Sequence, residues 1–276
     1  MTEQSPFKIE GKIFIEGQIE LLTGLHIGAG KDTMEIGGLD LAVIKRQRTD
    51  GKLGTLNVPY IPGSSIKGKL RSMLARVEGS KKVDEDYDFY PYICEIFGHP
   101  GRNINKEEKD VQKELIKLRD ASENPHLFNM RAEAYITRLT VRDADLDLEA
   151  FKADLPDFEG ESPLTDSKFE NTIDRPSGTA KHPRQLERVP AGARFDFQLV
   201  YDSYNDGKTD SHLRHIIKAM NLLADDYIGG SGTRGYGRIK FNGVTITQKT
   251  IADYEQNRAA SKYEAVQFNP TEAATA

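Results

Sequence analysis

The chain has 276 residues and a mass of 30.9 kDa, which suits one large domain or two small ones. Hydrophobic residues make up 37% of it and the mean hydropathy is -0.58, so a core is possible beneath an extensive polar surface. No run of about eighteen apolar residues exists, and the N-terminus lacks the apolar region of a signal peptide. The single cysteine excludes an intrachain disulfide framework. We therefore expect a cytoplasmic protein with no membrane partner.

The formal net charge is -5, but the charges are separated along the sequence. Residues 61–77 contain four basic residues and no acid, whereas residues 145–170 contain nine acids against two lysines. Residues 175–194 contain five Lys or Arg. Local basic surfaces can therefore form on a protein that is acidic overall.

The predicted elements begin with a long half-buried strand over residues 7–22, where apolar and charged residues alternate. A glycine-rich turn follows, and then a strand pair over residues 39–44 and 56–61. The segment 62–65, PGSS, is predicted to open a helix with a serine N-cap, because apolar residues then recur every three to four positions. Residues 79–134 are charged and irregular in pattern, and we interpret them as an insertion.

The second half of the chain predicts two strands, a helix and a last strand, over residues 134–141, 194–201, 211–225 and 236–246. An acidic loop region containing prolines precedes the second of these strands and belongs to a second insertion, over about 144–192. Residues 251–276 have little to bury and are expected to form a mobile tail.

Without its insertions, the chain has the order strand, helix, strand, strand, helix, strand. This βαββαβ order predicts one α+β domain over residues 1–250 with a ferredoxin-like core, in which an antiparallel sheet packs two helices on one face. RRM modules, which bind single-stranded RNA, use the same architecture. A fold does not establish a function, so the motifs must decide.

The most informative motif is the segment 229–237, GGSGTRGYG, which contains five glycines in nine residues. It satisfies G-x-G-x-x-G, but it follows a helix and opens a strand, the reverse of the dinucleotide-binding context. We interpret it as a phosphate-binding loop in which backbone amides converge on an anion, an arginine adds charge and a tyrosine stacks on a base. Its predicted RNA-binding residues are Gly230, Gly232, Arg234, Gly235 and Tyr236. The alternative is a flexible helix-to-strand turn.

A second candidate anion site lies at the start of the first helix. The helix dipole, the hydroxyls of Ser64 and Ser65, and the cations of Lys67 and Arg71 would converge there. The alternative is an ordinary capped helix with a solvated basic face. We expect the two anion sites to act together on one RNA.

Three other motifs carry weaker signals. The segment 28–31, GAGK, resembles the end of a P-loop, but Asp32 replaces the required Ser or Thr. Cys94 and His99 have no second pair of ligands nearby, which disfavours a zinc site. His26 follows the first strand and either contacts RNA or is a turn histidine with satisfied hydrogen bonds.

Two carboxylates stand at the ends of predicted apolar strands. Asp40 follows a Gly-Gly pair, and Asp143 follows Val141-Arg142. From the residues alone, capping of a turn or pairing with a nearby arginine is the simpler role for either acid.

Six segments, in order along most of the chain, resemble a known family. They are residues 24–28 (GLHIG), 36–40 (IGGLD), 62–68 (PGSSIKG), 169–175 (FENTIDR), 183–188 (PRQLER) and 229–237. The set resembles the RAMP superfamily, and more narrowly the Csm-type repeating backbone subunit of type III-A CRISPR interference complexes. The glycine-rich loop marks the superfamily, and the FENTIDR and PRQLER segments mark the backbone subunit.

The resemblance implies that copies of the chain stack into a filament along a CRISPR guide RNA, together with other subunits of the complex. A hairpin from each copy would flip out guide–target base pairs at regular intervals, and each copy would cleave the target RNA. The resemblance assigns the catalytic acid to Asp40 rather than Asp32. Cleavage would need a divalent cation, Mg²⁺ or Mn²⁺, with the ribose 2′-OH as nucleophile, and Asp40 would either bind the cation or help position that hydroxyl. Further residues expected to contact RNA are Lys45, Arg175, Arg184 and Arg188.

Three alternatives remain open from the sequence. The first is an RNA-binding backbone subunit without catalytic activity. The second is a stand-alone RAMP nuclease that processes precursor CRISPR RNA, which would need a histidine near the glycine-rich loop; the nearest in sequence are His212 and His215. The third is an unrelated metabolic enzyme with a phosphate site.

Overall fold

The computed structural model describes residues 8–29, 42–50, 54–78, 82–83, 86–87, 91–98, 137–160 and 162–269. The strands are β1 (Ile9–Leu21), β2 (Lys45–Asp50), β3 (Gly54–Ile61), β4 (Lys82–Val83), β5 (Asp86–Tyr87), β6 (Leu139–Val141), β7 (Ala144–Leu146), β8 (Asp166–Ile173), β9 (Ala180–Arg188), β10 (Arg194–Tyr204), β11 (Ile239–Thr250) and β12 (Ser261–Lys262). The helices are α1 (Gly63–Val77), α2 (Pro91–Phe97), α3 (Leu148–Asp154), α4 (Thr209–Ala224) and α5 (Ile251–Glu255). The fold is α+β, as predicted.

The main sheet is built around β1, which pairs antiparallel with β10 on one side and β11 on the other. The full order is β12-β11-β1-β10-β7-β3-β2, and β6 also pairs with β10. The predicted alternation of β1 is confirmed, because Ile13, Ile15 and Ile19 are at most 1% exposed while the intervening residues face outward.

The core lies between this sheet and helices α1 and α4, which pack against each other. Both helices follow the predicted apolar spacing. The first and last residues of α4 each lie within two residues of the predicted bounds, 211–225. Their fully buried side chains include Ile66, Leu70 and Leu74 on α1 and Leu213, Ile216, Met220 and Leu223 on α4. Helix α2, inside the stretch interpreted as an insertion, also adds apolar side chains to this core.

The predicted strand pair is half wrong. The partner of β3 is β2, at residues 45–50, rather than residues 39–44. In the described part of that earlier stretch, Val43 makes only an isolated bridge with Gly28. The sequence of β2, KRQRTD, has no apolar alternation because β2 lies at the edge of the sheet, where a strand need not be apolar.

The acidic region before β10 is not a loop. It contains β7, α3 and the hairpin of β8 and β9, which pair with each other outside the main sheet. Helix α3 is short and buries one side chain, Phe151, while Asp147 caps it by accepting a hydrogen bond from the Ala150 N–H at 2.9 Å. The hairpin strands are largely polar, so the sequence shows neither the alternation of apolar residues typical of a strand nor the three-to-four-residue spacing typical of a helix. The strand predicted over 134–141 begins at Leu139 in the described residues.

The chain after β11 differs from the mobile tail that the sequence suggested, as far as residue 269. Strand β12 pairs with the end of β11, and Val266 is 6% exposed. Tyr263 and Phe268 pack against the core, and the Phe268 ring lies 6.0 Å from that of Phe241. A few widely spaced apolar residues are enough to hold this segment against a preformed surface. None of the described helices is long and apolar enough to cross a membrane.

A buried ion pair joins the turn after β10 to Arg138, the residue before β6. Arg138 is completely buried, and its guanidinium donates to the Asp206 carboxylate at 2.6 Å and to the Tyr201 hydroxyl at 3.4 Å. Burial raises the pKa of Asp206, but the hydrogen bond and charge of Arg138 outweigh it, so the pKa lies below its usual value. The pair is therefore charged at neutral pH.

We predict that Asp206→Ala lowers the free energy of unfolding by about 3–5 kcal/mol, because it leaves the Arg138 guanidinium buried without this counter-charge. The matched control, Asp202→Ala, removes a partly exposed partner of Lys12 and should cost at most about 1 kcal/mol. Urea unfolding of both variants measures the difference. Since the folded-state pKa of Asp206 is lowered, the difference should be full at neutral pH and vanish as the pH falls through that pKa. Equal losses in the two variants would contradict the prediction.

Candidate nucleic-acid interface

The glycine-rich loop, residues 229–237, is folded back on the turn that follows β1. The Gly230 N–H donates to the His26 carbonyl at 2.8 Å, and the Gly237 N–H donates to the Gly24 carbonyl at 3.0 Å. Within the loop, the Gly235 N–H donates to the Gly232 carbonyl at 3.0 Å. The amides of Gly230 and Gly235 are therefore already bonded within the protein and are not free to bind an anion in this conformation.

Steric requirements explain Gly232, Gly235 and Gly237 better than exposed amides do. Gly235 and Gly237 have φ values of +86° and +69°, in the left-handed region that favours glycine. A Cβ on Gly237 would lie 1.9 Å from the Ile228 carbonyl oxygen, and one on Gly232 would lie 2.0 Å from the Tyr227 ring. The glycines thus allow close packing of backbone and aromatic ring.

Tyr236 is not available for base stacking, contrary to the sequence-based prediction. Its side chain is buried, at 2% exposure, and the Lys168 ammonium lies 4.6 Å from its ring centroid. Burial and the adjacent Glu170 carboxylate raise the pKa of Tyr236 to about 12. The ring is part of the support beneath the loop.

The β8–β9 hairpin stands beside the loop and exposes apolar side chains. Phe169 is 69% exposed and Ile173 is 64% exposed, both on β8. Arg175 is exposed in the turn at the tip of the hairpin. Two large apolar side chains that face water on one hairpin make this surface a candidate for contact with another molecule.

Three cations of the hairpin and the loop surround one carboxylate, that of Glu170 on β8. The Arg234 and Arg184 guanidinium groups lie 3.2 and 3.4 Å from its Oε2, and the Lys168 ammonium lies 4.0 Å from its Oε1. Desolvation raises the pKa of Glu170, but Tyr236 and these cations outweigh it and give a lowered pKa. Two predicted RNA-binding arginines, Arg184 and Arg234, are thus brought together from distant parts of the sequence.

Arg188 lies at the base of the hairpin, next to the turn after β1. Its guanidinium makes two hydrogen bonds to the Asp166 carboxylate, at 2.8 and 3.0 Å. These bonds raise the pKa of Arg188, and its side chain fills the space against Gly24. In this structure the residue joins the two strands of the hairpin at its base and packs that base against the turn after β1.

A buried carboxylate that the sequence analysis missed, Glu187 on β9, connects two other predicted residues. It accepts hydrogen bonds from the Val43 N–H at 2.8 Å and the Thr165 hydroxyl at 2.5 Å, and it pairs with the Lys45 ammonium. The His26 ring nitrogen Nδ1 lies 2.7 Å from the Glu187 carbonyl oxygen. The only feature of the sequence that could have drawn attention to Glu187 is its position as an acid within the basic PRQLER segment.

Of the three histidines whose side chains the structure describes, His26 rather than His212 or His215 lies beside the glycine-rich loop. It is 7% exposed, and it bonds β9 through its ring and Gly230 through its carbonyl. The reading of His26 as a turn histidine with satisfied hydrogen bonds is the one that this geometry favours. His212 is buried in a separate polar cluster, with its Nε2 3.0 Å from the Glu95 carboxylate.

Asp40 and Asp32 both lie in residues 30–41, outside the described residues. The residues on either side of this segment are described. The Ala29 N–H donates to the Ala42 carbonyl at 2.9 Å, and the Ile44 N–H donates to the Ile27 carbonyl at 2.8 Å. The residues on either side of that segment are therefore hydrogen-bonded to each other, next to Val43 and its bond to Glu187.

The start of α1 is already occupied by a carboxylate of the protein. The Gly63 N–H donates to Asp143 Oδ1 at 2.8 Å, and Arg46 lies 3.6 Å from Oδ2. The N-cap residue is Pro62, without a side-chain cap, so the predicted serine N-cap is wrong, and Ser64 is exposed and Ser65 half-buried. Asp143 thus has the structural role that the sequence favoured, and its charge reduces the attraction of this helix end for another anion.

The flank of α1 that approaches the glycine-rich loop carries Lys69. Its ammonium lies 3.8 Å from the Tyr227 ring, which packs against Gly232, and 3.0 Å from Asp226. Lys67 is about 200° away around the helix. Lys67 and Arg71 are half-buried, and desolvation lowers the pKa of each. The expected joint action of Lys67 with the loop is therefore not supported, and Lys69 is the lysine that lies near it.

A model of the RAMP superfamily matches residues 18–240 of the chain. The chain belongs to the RAMP superfamily. It is 37% identical over 263 residues to the CRISPR system Cms endoribonuclease Csm3 of Methanocaldococcus jannaschii, covering 92% of this chain and 88% of that protein. It is 34% identical over 255 residues to the protein of the same name from Enterococcus italicus, covering 91% and 99%. A solved Csm3–Csm4 subcomplex of a type III-A CRISPR-Cas interference complex aligns with a TM-score of 0.48 and 26% identity, covering 92% and 90%.

The described part of this RAMP protein contains no group of three or more His, Cys, Asp or Glu side chains that could hold a metal ion. The predicted metal ligand, Asp40, is outside that part. The requirement for a divalent cation therefore stays a prediction.

One pair of variants tests whether the glycines of the glycine-rich loop are needed for close packing or only for exposed amides. Gly237→Ala places a methyl group against a backbone oxygen at a positive φ and should lower the free energy of unfolding by more than about 1 kcal/mol. Gly230→Ala places its methyl group in ordinary contact with the His26 ring and keeps the amide, so it should change stability by less than about 0.5 kcal/mol. Thermal unfolding compares the two. A Gly237→Ala protein as stable as the wild type would show that the packing argument is wrong.

Proposed function

We propose that this chain is a repeating RNA-binding subunit of a type III-A CRISPR interference complex and an endoribonuclease that cleaves target RNA. Its partners would be the guide RNA, the target RNA, further copies of itself and the other subunits, in the cytoplasm. The observation that carries the proposal is the meeting of Arg184 and Arg234 beside a projecting hairpin with exposed apolar side chains. The relatives' name, endoribonuclease, supports the activity.

The sheet order supports a ferredoxin-like core as part of this proposal. Strands β11, β1, β10 and β6 are neighbours in that order, and each neighbouring pair is antiparallel. With α1 after β1 and α4 after β10, these elements follow the βαββαβ order. Strands β7, β3 and β2 then extend the sheet beyond the core.

The hairpin is the proposed wedge between guide–target base pairs. Phe169 and Ile173 present apolar surface to water, and apolar side chains of this kind insert between base steps and unstack them. The cations at its base, Arg184 and Arg234, would hold the RNA backbone beside the wedge. One hairpin per copy would give the regular spacing that the family resemblance implies.

Cleavage is assigned to Asp40. In the proposed reaction the ribose 2′-OH attacks the adjacent phosphorus, the 5′-oxygen of the next nucleotide leaves, and a cyclic phosphate forms. Asp40 would accept the proton of the 2′-OH or hold the cation, because a carboxylate close to phosphates is otherwise repelled by them. A divalent cation, Mg²⁺ or Mn²⁺, would neutralise charge on the reacting phosphate when bound.

We predict that Asp40→Ala nearly abolishes target cleavage by the assembled complex. If the acid transfers a proton, the cleavage rate should fall by about 10²–10⁴-fold. Assembly of the complex and binding of the target should stay intact. Asp32→Ala is the matched control and should cleave at nearly the wild-type rate. Time courses on complementary RNA with Mg²⁺, together with gel-shift titrations, measure both steps.

Three results would count against the assignment. Full cleavage by the Asp40 variant, or loss of cleavage only in the Asp32 variant, would show that another carboxylate acts. No cleavage by the wild-type complex would favour the alternative of a non-catalytic backbone subunit.

The hairpin makes a separate prediction. Replacing Phe169 and Ile173 together by Ser should leave the free energy of unfolding within about 0.5 kcal/mol of wild type, because both side chains are exposed. Target cleavage should lose its regular spacing, since no wedge would open the duplex at fixed intervals. Ile251→Ser, an exposed apolar residue on α5, is the control and should keep the spacing. Sequencing gels of cleaved target read the positions, and an unchanged ladder in the double variant would rule out the wedge.

A further inference from the structure

The cation cluster of the interface already contains an anion. The carboxylate of Glu170 lies 3.2–4.0 Å from the charged nitrogens of Lys168, Arg184 and Arg234, and both arginines approach the same oxygen, Oε2. This arrangement, in which several cations surround one oxyanion, is the one by which proteins bind a phosphate.

The exposures of the four side chains show which group faces a ligand. Glu170 is 12% exposed, whereas Lys168 and Arg184 are 40% exposed and Arg234 is 56% exposed. The carboxylate thus lies beneath the cations, which keep open sides toward solvent. Contacts of 3.2 Å and more are long for charge-assisted hydrogen bonds, so this pairing leaves the cations free to engage a second anion.

We propose that Glu170 is an internal counter-anion in a phosphodiester-binding site formed by Lys168, Arg184 and Arg234, and that it weakens RNA binding by each copy of the chain. The inference rests on the proposed RNA-binding function and adds to it a residue that opposes binding.

The charge arithmetic gives the expected direction. Three cations and one carboxylate carry a net charge of +2, and neutralising Glu170 raises it to +3. In Glu170→Gln the amide oxygen can still accept the arginine hydrogen bonds that the carboxylate accepts, so the positions of the arginines are kept while the repulsion of RNA is removed. A single copy with Glu170 would bind RNA weakly. Several copies along one RNA strand would still bind it strongly, because linking binding sites raises the overall affinity far above that of any one site.

The test is fluorescence anisotropy of a labelled oligouridine with the purified full chain over a KCl series. Relative to wild type, Glu170→Gln should bind about five-fold more tightly at low salt, the factor for one unit-charge interaction across about 4 Å of water. The log–log salt slope should steepen by about 0.7, the value for one more phosphate contact on a single strand. Glu264→Gln makes the same charge change at an exposed site and should bind like wild type.

The gain should also disappear in the Arg184→Ala, Arg234→Ala background, because without these cations no RNA phosphate is held close enough to Glu170 to be repelled by it. Binding by Glu170→Gln that equals or falls below wild type, or an equal gain in Glu264→Gln, would overturn the proposal. Absence of RNA binding by wild type and every variant, alone and in the assembled complex, would instead overturn the proposed function and the site with it.

Discussion

The turn after β1 holds the proposed RNA surface together through its backbone. Its Gly24 and His26 carbonyls accept hydrogen bonds from the glycine-rich loop, and Leu25 bridges to Val189 at the end of β9. The His26 ring then bonds the Glu187 carbonyl in the same strand. One short turn thereby fixes the loop, the hairpin and the start of the segment that carries Asp40 relative to one another. The bonds from the loop to this turn are made by backbone groups, and the approach to the His26 carbonyl depends on Gly229, where a Cβ would lie 2.5 Å from that oxygen.

Charge on this surface is arranged in layers, with acids beneath and cations above. Glu187 is buried under Lys45 and Glu170 lies under Arg184 and Arg234, whereas Asp166 and its partner Arg188 are about equally exposed. Each acid positions its partner and also reduces the net positive charge that RNA would meet. An acidic protein can in this way present an ordered cationic surface without a large unpaired charge.

The sequence predicted the parts of the fold that obey a period. Strands β1 and β10 and helix α4 were found because their apolar residues recur at two or three to four positions. The edge strand β2 and the β8–β9 hairpin were missed because their sequences are largely polar and show no regular apolar alternation. Their pairing depends on contacts that no local pattern records.

The site was predictable to a similar degree. Arginines such as Arg184 and Arg234 could be proposed from motif and charge, since a cation near an RNA-binding motif has few other roles. Tyr236 was assigned wrongly because a tyrosine after a glycine looks accessible, and only the folded structure shows it to be buried. The role of Glu187 was invisible because sequence does not show which acid becomes buried.

The central claim is that RNA lies on the surface formed by the hairpin and the glycine-rich loop, and photo-crosslinking tests it most directly. The assembled complex would be reconstituted on guide RNA containing 4-thiouridine, irradiated and digested, and the crosslinked peptides identified by mass spectrometry. We predict crosslinks within residues 166–188 and 226–238. Crosslinks confined to the outer face of β1 and β10, where Glu16, Gln18 and Asp196 lie, would contradict the claim.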